Sequence, residues 1–225
     1  MSGHEHELPP AALFSTIAIC PWREVSPRVD GNLSDWSEKE LMPALGELSG
    51  GEQYADLSLA WNERGFYLAL EVPKDQQVLT NRANPAAGDA LELFIDTRGA
   101  QSSHRATQFC YHLWVLPVAP PGGGDAPVIF QQPIRRALRR SPDPDFRSIR
   151  MASSRSGEGY ALELALEPES LHGLEPAGNG RLAIAAIVHD IARGRQYWGT
   201  SPDIPYERDP ATWGLVRLKA PPERQ

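Results

Sequence analysis

Apolar residues in this chain return at every second position over much of its length. Leu57, Leu59 and Trp61 alternate with Asp56, Ser58 and Ala60, and after Asn62-Glu63-Arg64-Gly65 the alternation resumes through Phe66, Leu68, Leu70 and Val72. Successive side chains of a strand point to opposite faces, so this period marks strands with one face buried. The Gly-containing interruption reads as the turn of a hairpin. Gly88-Asp89 then introduces a further strand, Ala90 to Asp96, and the pattern recurs in Thr107 to Leu116, Val128 to Gln131, Phe146 to Ala152, Tyr160 to Leu166, Leu182 to Asp190 and Trp213 to Leu218. A helical period of ~3.6 is suggested only in Glu38 to Leu48, so helices are expected to be short.

Strands at regular spacing with no intervening helices predict an all-β fold, an antiparallel β-sandwich of about ten strands with short helical turns. The 21 Pro and 19 Gly concentrate in the joints, at 117–127, 141–145, 175–180 and 200–210. A length of 225 residues with 41% hydrophobic content suits a single sandwich over 11–219, with flexible tails at 1–10 and 220–225. The formal charge of -7 argues against nucleic acid and against an anionic membrane surface as partners. No apolar stretch approaches the ~18 residues of a membrane span. The apolar run Ala11 to Cys20 lacks a basic leader, so a cytoplasmic location is the expectation. Cys20 and Cys110 stand 90 positions apart, which makes neither a disulfide framework nor a short-range metal motif.

Five phrases together resemble a known family. Val29-Asp30-Gly31-Asn32-Leu33-Ser34-Asp35-Trp36 is similar to the opening Asp-Gly…Trp signature of the family 9 carbohydrate-binding modules and their DOMON-like relatives. The hairpin Asp56 to Val72 follows in the family's order, then Gly88-Asp89-Ala90-Leu91-Glu92-Leu93-Phe94-Ile95-Asp96, then Gly159-Tyr160-Ala161-Leu162-Glu163. Val188-His189-Asp190 and Arg208-Asp209-Pro210-Ala211-Thr212-Trp213-Gly214 complete the pattern. The resemblance implies a β-sandwich that binds a glycan or another small ligand without catalysis. Any link to catalysis would be as an accessory to glycoside hydrolysis.

The family's sugar clamp is carried over only in part. Glu92 and Gln108 match, whereas the two aromatic clamp positions are Ala86 and Glu207, with Tyr206 the nearest ring. Cys110 stands where the family has Arg, and His189 where it has Asn. The resemblance therefore implies a ligand cleft around Glu92, Gln108, Cys110, His112, His189 and Tyr206, with Tyr206 expected to be an exposed ring.

Cys110 and His112 are two apart on one strand and share a face. With His189 they make a speculative transition-metal set, because zinc accepts S and N ligands; packing of Cys110 and hydrogen bonding of the histidines is the alternative. Relatives include haem-binding domains, so a metal- or haem-binding domain is the second functional reading. Asp89, Glu92, Asp96, Glu163 and Asp190 resemble the family's acids, and some members also hold calcium for structural purposes, although no EF-hand-like spacing is present and surface acids at strand ends are expected. Glu92 with Glu163 is the only pair considered for hydrolase chemistry. Trp22, Trp114, Tyr197, Trp198 and Tyr206 are candidate stacking platforms, and Trp36, Trp61 and Trp213 read as core. Six Arg lie at 135, 136, 139, 140, 147 and 150, which reads as a hairpin able to receive an acidic partner or an acidic sugar at Arg135, Arg136, Arg139 and Arg140. No Gly-x-Ser-x-Gly elbow, His-Glu-x-x-His helix or phosphate loop occurs.

Overall fold

The computed structural model describes residues 17–43 and 53–221. The expected tail at 1–10 and the second half of the helical-period segment lie outside these residues. Eleven strands are present among the described residues: β1 (Ile17–Cys20), β2 (Asp56–Asn62), β3 (Gly65–Pro73), β4 (Ala90–Asp96), β5 (Cys110–Leu116), β6 (Val128–Gln131), β7 (Ile149–Ser156), β8 (Gly159–Leu166), β9 (Arg181–Asp190), β10 (Gly194–Trp198) and β11 (Gly214–Leu218). Among the described residues, helical structure is limited to one turn, Pro176–Asn179, and to 3-10 turns of three residues.

The strands form two sheets. One runs β1-β11-β9-β4-β5-β6, with β10 also paired to β9, and the other runs β2-β3-β8-β7. Neighbours are antiparallel except β1 and β11, which are parallel. These two are the first and last strands described and share no hairpin, so nothing in the connection forces an antiparallel register. β10 and β11 pair with the two halves of one edge of the long strand β9, at Ala186–Asp190 and Arg181–Ile184 respectively.

The alternation decides the inner faces. Leu57, Leu59, Leu68, Leu70, Leu162 and Leu164 from the smaller sheet meet Leu91, Leu93, Ile95, Tyr111, Leu113, Ile184 and Val188 from the larger one. Burying each such side chain contributes roughly 1.5–3 kcal/mol, which sets the register firmly.

The larger sheet departs from simple alternation, because every residue of β4 and β5 is buried. Its outer face carries a second apolar cluster, in which Phe94, Cys110, Ala185 and Ile187 are roofed by Tyr197, Tyr206, Trp213, Ala106, Ile134 and Ala137. Tyr206 and Trp213 come from the Pro-rich segment before β11, Ile134 and Ala137 from the Arg-rich segment after β6, Ala106 from the connection between β4 and β5, and Tyr197 from β10. The Arg-rich segment is no hairpin: it leaves β6 in one sheet and enters β7 in the other through the 3-10 turn Phe146–Ser148.

Candidate functional site

Under this roof lies an arrangement of three polar side chains. Glu92 on β4, His112 on β5 and His189 on β9 project from three adjacent strands onto the outer face of the larger sheet. Nε2 of His112 lies 2.9 Å from one carboxylate oxygen of Glu92, and Nε2 of His189 lies 2.9 Å from the other. Burial would raise the Glu92 carboxyl, but the hydrogen bonds from His112 and then His189, with their charge, outweigh it and hold the pKa at about 2. Glu92 is therefore ionised and can only accept. Both imidazoles consequently carry a proton on Nε2, and in the neutral tautomer each leaves Nδ1 as an acceptor.

Aromatic rings fix the two histidines. Phe94 stacks on His112 with centroids 4.1 Å apart and planes at 11°. Trp114 lies 5.0 Å from His189. Tyr206 meets Phe94 edge-on at 5.7 Å, and Tyr197 meets Tyr206 at 6.0 Å. Two polar atoms in this group have no partner, His189 Nδ1 and Trp114 Nε1. Their residues are 2% and 4% exposed, so each unpaired group costs free energy unless something is bound to it.

The six cleft residues expected from the sequence separate into two places. Glu92, His112, His189 and Tyr206 come together, although Tyr206 is 5% exposed and forms part of the roof instead of an open platform. Desolvation, followed by the charge of Glu92, raises its hydroxyl pKa. Gln108 sits in the turn before β5 and lines a different cleft with Arg98, Thr107, Phe109, Leu138 and Arg139. Cys110 accepts from the amide of Thr107 at 3.4 Å and packs in the apolar cluster. Its thiol is raised to about 11 by burial, with a smaller contribution from Asp96.

The metal set Cys110, His112 and His189 is not assembled. Both histidines spend Nε2 on Glu92, Cys110 turns to Thr107, and among the described residues no group of three His, Cys, Asp or Glu side chains is placed to hold a metal ion. The candidate stacking platforms are also covered. Trp114, Tyr197 and Trp198 are buried and Trp22 is half-buried against the inner core.

The acidic positions are interior anchors, not surface acids. Asp89, Asp96, Glu163 and Asp190 are all at most 3% exposed, and each is neutralised by internal donors. Asp96 accepts from the amides of Arg98 and Ala100. Lys74 Nζ, itself fully buried, lies 2.7 Å from Asp89 and 3.3 Å from Asp190. Glu163 accepts from the amides of Asp30 and Gly31 at 2.9 and 2.7 Å and from Trp36 Nε1 at 2.9 Å. Two of the sequence phrases are thus halves of one lock: Asp-Gly…Trp is the turn that presents three donors, and Glu163 of β8 is their acceptor. Gly31 is required in that turn, since its φ is +84° and a Cβ would stand 2.9 Å from the backbone of Ser153. Glu163 lies on the outer face of the smaller sheet, away from the inner Leu162 and Leu164. Glu92 is on the far side of the sandwich, and packed sheets lie ~10 Å apart even before outward side chains are added, so the two cannot work as a hydrolase pair.

The fold is thus a two-sheet β-sandwich with a roofed polar group on one outer face. Residues 29–220 match the family described as carbohydrate family 9 binding domain-like, and the chain belongs to it. Among solved structures it is similar to a family 9 carbohydrate-binding module from Caldicellulosiruptor kristjanssonii in complex with cellotriose, at 15% identity, TM-score 0.65, over 92% of this chain and 95% of that one. A structure described as a family 9 module from the same organism in complex with glucose matches at 13% identity and TM-score 0.64, over 93% and 99%. Among curated proteins none matches the sequence.

Proposed function

We propose that this chain is a non-catalytic carbohydrate-binding module whose ligand hydroxyl engages His189 and Trp114 beside the Glu92–His112 pair. The observation that carries the reading is the unpaired acceptor at His189 Nδ1 and the unpaired donor at Trp114 Nε1, on rings 5.0 Å apart. A hydroxyl is both donor and acceptor, so one sugar hydroxyl can satisfy both atoms. Membership of the family and the sugars named for its two structural neighbours support the same class of ligand. Glu92 holds His189 in the tautomer that leaves Nδ1 as an acceptor, while Ala86 and Glu207, which stand at the family's aromatic clamp positions, are both exposed. Both unpaired atoms are covered in this structure, so a ligand enters as a side chain of the cover moves.

Isothermal calorimetry with glucose and cello-oligosaccharides, after a glycan array to widen the search, tests this. Trp114→Phe removes the indole donor and keeps the ring. It is expected to weaken binding roughly 3–10-fold, the equivalent of one neutral hydrogen bond. A wild-type protein that binds no sugar on the array, or a Trp114→Phe variant with unchanged affinity, overturns the assignment.

A further inference from the structure

The Arg-rich connection after β6 has features that the Glu92 site does not use. Between Asp125 and Asp143 the chain carries four Arg and no acid. Arg135, Arg136, Arg139 and Arg140 are all exposed, and none is in an ion pair among the described residues. The other arginines of the region are paired, Arg147 with Asp145, Arg150 with Glu167 and Arg155 with Asp125.

The strap that holds the four is pinned to the body. Its ends are tied by Gln131 Nε2 donating to Ser141 Oγ at 2.8 Å, and the amide of Gln132 donates to the carbonyl of His112 at 2.9 Å. In the middle the amide of Leu138 donates to the carbonyl of Ala106 at 2.7 Å, while Ile134 and Ala137 pack into the roof. Arg105 Nε donates to the carbonyl of Arg136, which has φ +58°. A left-handed backbone at a non-glycine residue is strained and persists where its surroundings hold it. Like charges held near one another on a pinned backbone repel, and a bound anion relieves that repulsion, as dissolved salt does in part.

Beside the strap runs the cleft lined by Arg98, Thr107, Gln108, Phe109, Leu138 and Arg139. It combines guanidinium groups with apolar surface and with a side-chain amide and hydroxyl. We propose that strap and cleft together bind a carboxylate-bearing sugar chain, a polyuronate, with the guanidinium groups on its carboxylates and Leu138 and the edge of Phe109 against its rings. This rests on the carbohydrate-binding reading but uses a surface separate from Glu92. An acidic peptide docking by its backbone would need free amides, and those of Leu138 and Arg139 are already spent on Ala106.

Titration of the full chain with a linear oligogalacturonate, with a cello-oligosaccharide as neutral control, tests the proposal. Binding of the oligogalacturonate is expected, falling at least ~10-fold in Arg135→Ser/Arg139→Ser, since charge-assisted bonds are the strong ones. It should weaken further as salt rises from ~0.05 to ~0.5 M, where the Debye length shrinks several-fold. Trp114→Phe should leave it unchanged. Oligogalacturonate binding that depends on the arginines supports the proposal even if no neutral sugar binds, a result that would fail the Glu92 site alone. No oligogalacturonate binding, binding indifferent to the double substitution, or equal affinity for poly-glutamate or single-stranded DNA overturns it.

Discussion

Replacing Lys74 with Met takes the cation out of a buried anionic cluster, and the structure sets the size of the consequence. Lys74, Asp89 and Asp190 have fully buried side chains, with the ammonium 2.7 Å from the first carboxylate and 3.3 Å from the second. Asp190 would keep Arg193 at 2.8 Å and the amide of Ala192 at 2.9 Å. Asp89 would keep only neutral donors, the amides of Leu79 at 2.7 Å and Ile191 at 3.3 Å. Removing one partner of a buried ion pair strands the other charge and costs ~3–5 kcal/mol. For a chain of this size that corresponds to a fall in Tm of roughly 6–20 °C. Urea denaturation followed by tryptophan fluorescence at pH 7 measures the loss, and an unchanged slope confirms that the same surface unfolds. The pH dependence provides a second reading. Burial would raise the Asp190 carboxyl, but Arg193, the amides of Ala192 and Arg193, and Lys74 together hold it at about 2, below its ordinary 3.8. A depressed acid stabilises the fold above its unfolded pKa, so its contribution of ~2 kcal/mol is present above pH ~4 and is lost as pH falls towards 2. Without Lys74 the Asp190 carboxylate takes up its proton at milder acidity, so the gap between wild type and variant should narrow from pH 7 to pH 4. A loss below ~1 kcal/mol at pH 7, or a gap constant over that range, refutes the reasoning.

Four other outcomes follow from the same packing. Glu163→Gln keeps the shape but replaces a charged acceptor of three donors, and should cost ~2–3 kcal/mol in urea titration; an unchanged midpoint would show that the lock carries no load. Gly159→Ala places a Cβ 2.1 Å from the carbonyl of Val72 at φ +137°, so the β3–β8 pairing must open at that end and thermal stability should fall by ~2 kcal/mol or more. Both thiols are buried and raised by desolvation, so neither should react with Ellman's reagent at pH 8 until denaturant is added; a fast-reacting thiol in the folded protein contradicts this. Glu92 is held at about 2 against an ordinary 4.5; its stabilisation is therefore present above pH ~4.5 and lost between there and pH ~2, and Glu92→Gln should flatten Tm against pH in that interval.

Most of the sandwich is legible in the sequence because burial on one face forces period two. β4 and β6 span the residues that the alternation marks, Ala90–Asp96 and Val128–Gln131. The two strands not anticipated have other causes. β10 reads Gly-Arg-Gln-Tyr-Trp, with no alternation that hydropathy can detect, because Gln196 faces inward and satisfies the backbone of Tyr54 and Ala55 through its side-chain amide. β1 is a short edge strand, with Ile17 and Ile19 exposed on its outer side, so it reads as a featureless apolar run. Phe146 begins a 3-10 turn where a strand start is expected, since Asp145 caps that turn by accepting from the amide of Arg147.

The site is less legible, and the reason lies in what alternation measures. Period two says which side chains of one strand share a face, and the resemblance to the family is what brings Glu92, His112 and His189 to one place. Neither says whether that face is wet. The outer face of the larger sheet is closed by residues far away in sequence, Tyr206 and Trp213 from one connection and Ile134 and Ala137 from another. Under the roof the ionised, buried Glu92 carboxylate takes the N–H groups of both imidazoles, while Cys110 packs in the apolar cluster and accepts from the amide of Thr107, so no metal set forms. The unpaired atoms of His189 and Trp114 are then the residue of that closure: groups that alternation places on the outer face, covered by neighbours that supply no partner.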